Sequence, residues 1–117
     1  MRRLTLVLIL LAACAKKPEQ QHLDLFGDAQ RGRAILPRYG CPACHEIPGV
    51  PMKGLVGPAL AQMGRRAYIA GHIPNTQITL AQWIQHPQEM KPGVAMPDCG
   101  VNERDARDMA AYLFTLR

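Results

Sequence analysis

A short motif of cysteine and histidine gives this sequence its chemistry. Cys41 and Cys44 are separated by two residues, and His45 follows directly. This spacing lets both sulfurs reach the two vinyl groups on one edge of a porphyrin, and it carries the next residue beneath the ring, where an imidazole nitrogen can bind iron. The motif therefore predicts one covalently bound haem c, attached through Cys41 and Cys44, with His45 as an iron ligand.

Two other kinds of site also use a CxxC motif. A thioredoxin-type redox motif lies near a βαβ pattern, and the sequence shows no strand-rich unit. A zinc site needs a second pair of ligands, and the chain has no other CxxC and no HxxxH. The sequence therefore favours haem attachment over both alternatives.

The first residues have the composition of an export signal. Two arginines precede an apolar run over residues 4–11, which is too short to span a bilayer as a helix. The run leads to Leu-Ala-Ala-Cys, ending at Cys14, which resembles a bacterial lipoprotein cleavage box. We expect a lipoprotein signal peptide over residues 1–13, an acylated Cys14, and a polar tether over residues 14–24. An ordinary signal peptide cut nearby, with Cys14 incidental, is the alternative.

Acylation of Cys14 would decide where the protein works. Several acyl chains give stable membrane anchoring where a single chain does not. Ala15 follows the cysteine, in place of an aspartate that would retain the protein at the inner membrane. We therefore expect an exported protein on the periplasmic side, anchored by lipid, with the outer membrane favoured if the organism has one.

Residues 25–117 are long enough for one small domain. Only 5% of the residues are aromatic, so the core is modest and needs the apolar body of a cofactor to be stable. The formal net charge of +5 falls to +3 when the two leader arginines are removed. This excess is too mild to argue for nucleic acid, but it suits weak attraction to an acidic redox partner.

Helical patterns predict an all-α domain with three to five short helices and proline-rich loops. Asp28 can cap a helix over residues 29–36, which Pro37 should end or bend. Gly32 within that helix is best explained by close packing against another helix. No convincing strand pattern is present.

Two further helices follow from capping residues and apolar spacing. Thr79 with Gln82 predicts a capping box for a helix over residues 80–86, and Pro87 should end it. Asn102 can cap the last helix, over residues 103–116, which has one apolar face. We expect its charged residues, which are Arg104, Asp105, Arg107 and Asp108, to face water.

A methionine is the best candidate for a second iron ligand. Met96 lies in a rigid loop just before the last helix, with prolines on both sides that can hold its thioether against the iron. Met90, at the end of a helix, is the runner-up. His72 or His86 would instead give a bis-histidine site.

These motifs together resemble a small class I cytochrome c, over residues 26–117. The matching elements are Gly27-Asp28 with Gly32, the Cys41–His45 motif, Gly57-Pro58-Ala59-Leu60, the Met96-Pro97 loop and Ala110-Ala111-Tyr112-Leu113. Three further segments resemble the cytochrome c domains attached to haem–copper oxidase subunits; they are Pro74-Asn75-Thr76, Trp83-Ile84 and Met96-Pro97-Asp98.

The resemblance implies roles for residues around the haem. The carbonyl of Pro58 would accept the free imidazole N–H of His45, which fixes the ring and raises its basicity. Candidates for contact with the haem propionates are Arg66, Arg65, Tyr68, Asn75 and Trp83, although arginines at a solvated helix end and a tryptophan in the core are equally consistent with the sequence.

Two positions depart from the family pattern. Pro37 lies where the first helix of the family usually continues, and Cys99 replaces a common aliphatic residue. We interpret Cys99 as a small buried residue. A dimer disulfide or a role in sulfur chemistry is the alternative.

The implied function is electron transfer in a respiratory or related redox chain. Iron bound by His45 and Met96 has no open position for a substrate, and methionine raises the reduction potential. Redox partners would dock weakly at the exposed haem edge near Cys44 and residues 50–53 and 94–96. One alternative is a dedicated electron-transfer subunit of a larger oxidase or dehydrogenase. Another, without Met96 on the iron, is an open-site haem sensor or enzyme.

Overall fold

The C-terminal helix α5 (Glu103–Thr115) is the element against which the other long helices pack. The computed structural model describes residues 26–117, so the predicted signal peptide, Cys14 and the whole of the predicted tether lie outside it. Two short 3-10 helices cover Leu36–Tyr39 and Met63–Arg65. The remaining elements are α1 (Ala29–Ile35), α2 (Cys41–Cys44), β1 (Tyr68–Ile69), β2 (Ile73–Pro74), α3 (Gln77–Gln85) and α4 (Pro87–Met90).

Helix α1 begins and ends where its sequence dictates. The carboxylate of Asp28 accepts a hydrogen bond from the backbone N–H of Arg31 at 3.0 Å and caps the first turn. The α-helix ends at Ile35, and the chain continues as a 3-10 helix that contains Pro37. The predicted break before Pro37 is therefore confirmed, because proline has no N–H to continue the α-helical hydrogen bonds.

Helices α1 and α5 cross in backbone contact at Gly32. A Cβ atom added at Gly32 would overlap the carbonyl oxygen of Asp108 and lie 2.8 Å from the backbone nitrogen of Met109. Only glycine allows this approach, so the predicted close packing at Gly32 is confirmed.

A buried ion-pair network secures this crossing, and it corrects the expectation that the charged residues of α5 all face water. Asp105 is 9% exposed and Asp108 is 5% exposed. Arg31 of α1 donates to both carboxylates, at 2.5 Å to Asp105 and at hydrogen-bonding distance to Asp108. Asp108 also accepts from the backbone N–H of Asp28 at 2.7 Å. Burial of these carboxylates is tolerated because each has several donors.

Tyr39 and Asn102 complete the donor set of Asp105. The hydroxyl of Tyr39 donates to the carboxylate at 2.6 Å, and the side-chain amide of Asn102 donates at 3.0 Å. The hydrogen bond from Tyr39, followed by that from Arg31, lowers the pKa of Asp105. The network thus joins α1, α5 and the segment that precedes α2.

The capping of α3 differs from the prediction. Thr76 is the N-cap residue, and its hydroxyl accepts from the backbone N–H of Thr79 at 3.1 Å while the Thr79 side chain accepts from the backbone of Thr76 at 2.9 Å. The prediction of Thr79 with Gln82 was therefore wrong, and α3 begins at Gln77. Pro87 opens α4, where its missing N–H needs no partner.

A small sheet is also present, although no convincing strand pattern was expected from the sequence. Strands β1 and β2 pair antiparallel, with Ile69 opposite Ile73. Gly71, at φ +90°, lies in the turn between them. Each strand has two residues, which is too short for alternation to be visible in a sequence. The fold class remains as predicted, a small helical fold with five α-helices among residues 26–117.

The apolar core lies between α1, α3 and α5. Its most buried members include Leu36, Leu80, Ala106, Met109 and Ala110. Within residues 26–117, no helix combines the length and the apolar character needed to cross a membrane.

The ion-pair network predicts a specific acid sensitivity. The folded state lowers the pKa of Asp105 below its ordinary value of 3.8, so the unfolded chain binds more protons as the pH falls. The stabilisation from Asp105 is therefore complete above this ordinary value and is lost as the pH drops through the lower pKa of the folded state. Urea denaturation at a series of pH values should show a falling free energy of unfolding below about pH 4.

Asp105→Asn should flatten this dependence. Glu103→Gln removes an exposed carboxylate of the same helix and retains Asp105, so it should keep the wild-type pH dependence. Equal acid sensitivity in the wild type and Asp105→Asn would contradict the assignment.

Candidate functional site

A cavity of about 630 Å³ opens between the helices and the proline-rich loops. Its volume lies within the roughly 300–1,000 Å³ of ligand and cofactor pockets. The walls are mainly apolar, with Leu36, Leu60, Leu80, Ile84 and Leu113 among them. Cys41, Cys44, His45 and Met96 all line this same cavity.

The two cysteines lie on α2, a single helical turn. Gly40 precedes it in the left-handed conformation, at φ 75°, and Pro42 lies in the first turn. The backbone N–H of His45 donates to the carbonyl of Cys41 at 2.9 Å, which closes the turn. Cys41 and Cys44 are free thiols at opposite ends of this turn, and His45 follows in extended conformation.

The state of Cys41 is unlike that of a reactive redox cysteine. Burial, followed by the neighbouring Cys99, raises the pKa of Cys41 to about 11. Reactive CxxC thiols have lowered pKa values instead. In the part of the chain that the structure describes, no three side chains from His, Cys, Asp and Glu form a group that could hold a metal ion, so zinc gains no second ligand pair there.

His45 is oriented by the loop that contains Pro58. Its Nδ1 lies 2.7 Å from the carbonyl oxygen of Pro58. Because a carbonyl can only accept, Nδ1 carries a proton, so that in the neutral imidazole Nε2 is the nitrogen whose lone pair is available to a ligand. Such a hydrogen bond also raises the basicity of the imidazole.

Backbone hydrogen bonds hold the Pro58 loop against the motif. The N–H of Gly57 donates to the carbonyl of Cys44 at 2.7 Å, and the N–H of Leu60 donates to the carbonyl of Glu46 at 2.8 Å. Gly57 lies directly against the imidazole, since a Cβ atom there would overlap Cε1 of His45. The ring orientation is therefore set by main-chain contacts on both sides of Pro58.

Met96 lies far along the chain from His45, in the loop between α4 and α5, where it is half-buried. The side chain of Gln88 contacts this loop by donating to the carbonyls of Val94 and Met96 at 2.6 and 2.7 Å. The runner-up Met90 lies outside the cavity lining, as do His72 and His86.

The predicted propionate contacts divide into two groups. Arg66, Tyr68 and Trp83 line the cavity, whereas Arg65 and Asn75 do not. One Nη atom of Arg66 donates to the carbonyls of Ala59 and Ala61, which ties it to the Pro58 loop.

Asn75 acts on the backbone instead of lining the cavity. Its amide donates to the carbonyls of Met63 and Arg66 at 2.8 and 3.0 Å and so supports the turn before β1. Its Oδ1 is buried and has no hydrogen-bond partner among residues 26–117.

Three features of the site escaped sequence reasoning. Tyr39 lines the cavity, and only its position two residues before the motif could have drawn attention to it. The hairpin residues 69–71 form part of the wall, and Gln88 supports the Met96 loop. Cys99, expected to be a buried small residue, is half-buried at the cavity wall, and burial raises its pKa.

These residues fit a covalently bound haem. The apolar walls suit a porphyrin, two free thiols on one helical turn suit thioether formation, and an imidazole with Nε2 unprotonated suits iron.

Comparison with known proteins agrees with this chemistry. Residues 29–117 match the family model described as cytochrome c. The cytochrome c oxidase subunit 2 of Alkalihalophilus pseudofirmus is 34% identical over 90 residues, which cover 76% of this chain and 26% of that protein. The cytochrome c oxidase subunit 2 of Bacillus sp. (strain PS3) is 29% identical over 94 residues, with the same two coverages. The chain thus spans about a quarter of the length of these relatives. On its family match and its site, this chain belongs to the cytochrome c family, whose domain carries covalently bound haem and transfers electrons.

Proposed function

We propose that this protein is a membrane-anchored, mono-haem electron carrier with its iron bound by His45 and Met96. The observation that carries the proposal is one cavity whose wall contains both attachment cysteines, an imidazole with a free Nε2, and a half-buried thioether. Haem c, attached through Cys41 and Cys44, supplies an iron that gains and loses a single electron.

The protein's own residues restrict what can happen in this cavity. Pro58 fixes the tautomer and basicity of His45, and Met96 would supply a second ligand to the haem iron from its loop. The apolar walls of the cavity exclude water. Such surroundings would favour the reduced state of the haem iron, because that state carries less charge than the oxidised one. Arg66 at the wall is the candidate to offset the charge of the propionates.

Electrons would pass through the edge of the cavity near Cys44 and the Val94–Met96 loop. Two strongly exposed apolar side chains lie along the chain near this edge; Met52 is 65% and Leu55 is 86% exposed. An apolar rim with few charges suits a small, short-lived contact with a redox partner.

A dedicated subunit of a larger oxidase is the second candidate. It is favoured by the relatives, which are named as cytochrome c oxidase subunit 2 and of which this chain covers about a quarter. Stable co-purification with a membrane oxidase would favour this role, and clean isolation as a monomer would favour the free carrier.

Replacing Met96 tests the closed iron site. The parent should show a far-red iron–sulfur band when oxidised, and the reduced parent should not bind carbon monoxide. Met96→Ala should lose the band and gain carbon monoxide binding, because the second axial position is then open. Met52→Ala, at an exposed methionine, is the matched control and should resemble the parent. A parent without the band that binds carbon monoxide readily would make sensing or catalysis the leading function.

Replacing Gly57 tests the seating of His45. In Gly57→Ala the new Cβ overlaps the imidazole and turns it away from Pro58. Overpacking of this kind costs about 1–3 kcal/mol, which urea denaturation of the haem-loaded protein would measure. Ala59→Ser, at an exposed neighbour, should change the free energy of unfolding by less than about 0.5 kcal/mol. Equal stability of both variants would show that Gly57 does not constrain the ring.

The anchor is tested at Cys14. Cys14→Ser removes the thiol that would be acylated, so the variant should move from the detergent phase to the aqueous phase in a detergent phase separation of the expressing cells. Mass spectrometry of the parent should show an acylated cysteine at the new N-terminus. A parent that stays aqueous and carries no acyl group would leave the alternative of an ordinary signal peptide.

A further inference from the structure

Gln88 of α4 joins that helix to the loop that carries Met96. Its Nε2 donates to the carbonyl oxygens of Val94 at 2.6 Å and of Met96 at 2.7 Å. Its Oε1 accepts from the backbone N–H of Gly93 at 3.3 Å. Carbonyl groups only accept and an N–H only donates, so the orientation of the Gln88 amide is fixed by its partners.

The backbone of Gln88 makes a fourth contact with the same loop. Its N–H donates to the carboxylate of Asp98 at 3.2 Å. Among the described residues, these four hydrogen bonds are the ones that join residues 93–98 to α4, and all involve Gln88. The loop residues that make these bonds lie both before and after Met96 in the sequence.

The two proposed iron ligands are thus supported in different ways. Main-chain hydrogen bonds hold the Pro58 loop beside His45. On the loop of Met96, the carbonyls of Val94 and Met96 are held instead by one side chain, that of Gln88. Gly93 lies at the start of this loop, and its φ of +81° is a conformation that glycine adopts freely. Without the amide of Gln88, the carbonyls of Val94 and Met96 lose their protein donor, and water can take its place.

We propose that Gln88 is a positioning residue that keeps the Met96 thioether directed into the cavity and so sets how often the second axial position of the iron opens. This inference rests on the proposed function, in which Met96 is an iron ligand. Gln88 itself does not line the cavity, so it acts only through the loop.

Binding of a small external ligand measures the open fraction directly. Added imidazole can bind the ferric iron only when Met96 has left it. Its apparent dissociation constant therefore equals the intrinsic constant divided by the fraction of open protein. A substitution that loosens the loop should tighten apparent imidazole binding without altering the iron.

The experiment is an optical titration of the oxidised, haem-loaded protein with imidazole. Gln88→Leu removes all the side-chain hydrogen bonds at similar size, and it should bind imidazole roughly tenfold more tightly than the parent, equal to about 1.4 kcal/mol. Gln88→Asn, a milder change, shortens the amide and should fall between them. Met96→Ala supplies the fully open reference.

Gln85 provides the matched control. It is also half-buried, and its amide donates only to the carbonyl of Ala81 within its own helix, at 3.2 Å. Gln85→Leu should leave imidazole binding unchanged, even if urea denaturation shows that it lowers stability as much as Gln88→Leu does. This comparison separates positioning of the loop from a general loss of stability.

Three results would each overturn one or both of the proposals. Parent-like imidazole binding in both Gln88 variants, with tight binding in Met96→Ala, would overturn the role of Gln88 and leave the proposed function intact. Equal tightening in Gln85→Leu and Gln88→Leu would overturn it as well. If Met96→Ala binds no more tightly than the parent, Met96 is not the ligand, and both proposals fail.

Discussion

The backbone contact between α1 and α5 is the constraint on which the rest of this fold depends. Gly32 brings the two helices close enough for the guanidinium of Arg31 to reach both Asp105 and Asp108. Asp105 in turn holds Tyr39, whose ring forms part of the cavity wall just before the cysteine motif. The distance between the helices, the buried charges and the position of the attachment turn are therefore parts of one arrangement.

The site built on this frame uses two kinds of support. On the side of His45, main-chain hydrogen bonds connect the cysteine motif to the Pro58 loop, so the imidazole is oriented by groups that every residue type possesses. On the side of Met96, the amide of Gln88 holds the carbonyls of Val94 and Met96, while the carboxylate of Asp98 and a main-chain bond from Val94 to Lys91 provide the other contacts of the loop. The apolar walls between these two sides explain why a small chain with few aromatic residues needs a cofactor to complete its core.

Most of the features that could be predicted from the sequence rest on short, local patterns of residues. The cysteine motif and the caps at Asp28 and Asn102 depend on neighbouring residues, and Gly32 shows by its residue type alone that another helix can approach it closely; the structure contains them all. The buried carboxylates escaped prediction because their partner Arg31 is 74 residues from Asp105, and a charged residue on a helix is ordinarily solvated. Two-residue strands are too short to show a period, and a glutamine that supports a distant loop leaves no pattern at all.

The unequal support of the two faces has a consequence for how such a domain can diverge. Substitutions around Pro58 leave the main-chain bonds in place, so the histidine side should tolerate sequence drift as long as Gly57 is kept. The methionine side would respond to a change at one half-buried position that does not itself line the cavity. A descendant with a different residue at Gln88 would have a more accessible iron while its haem attachment stayed the same. In this fold, a single amino acid would then move an electron carrier part of the way toward binding external ligands.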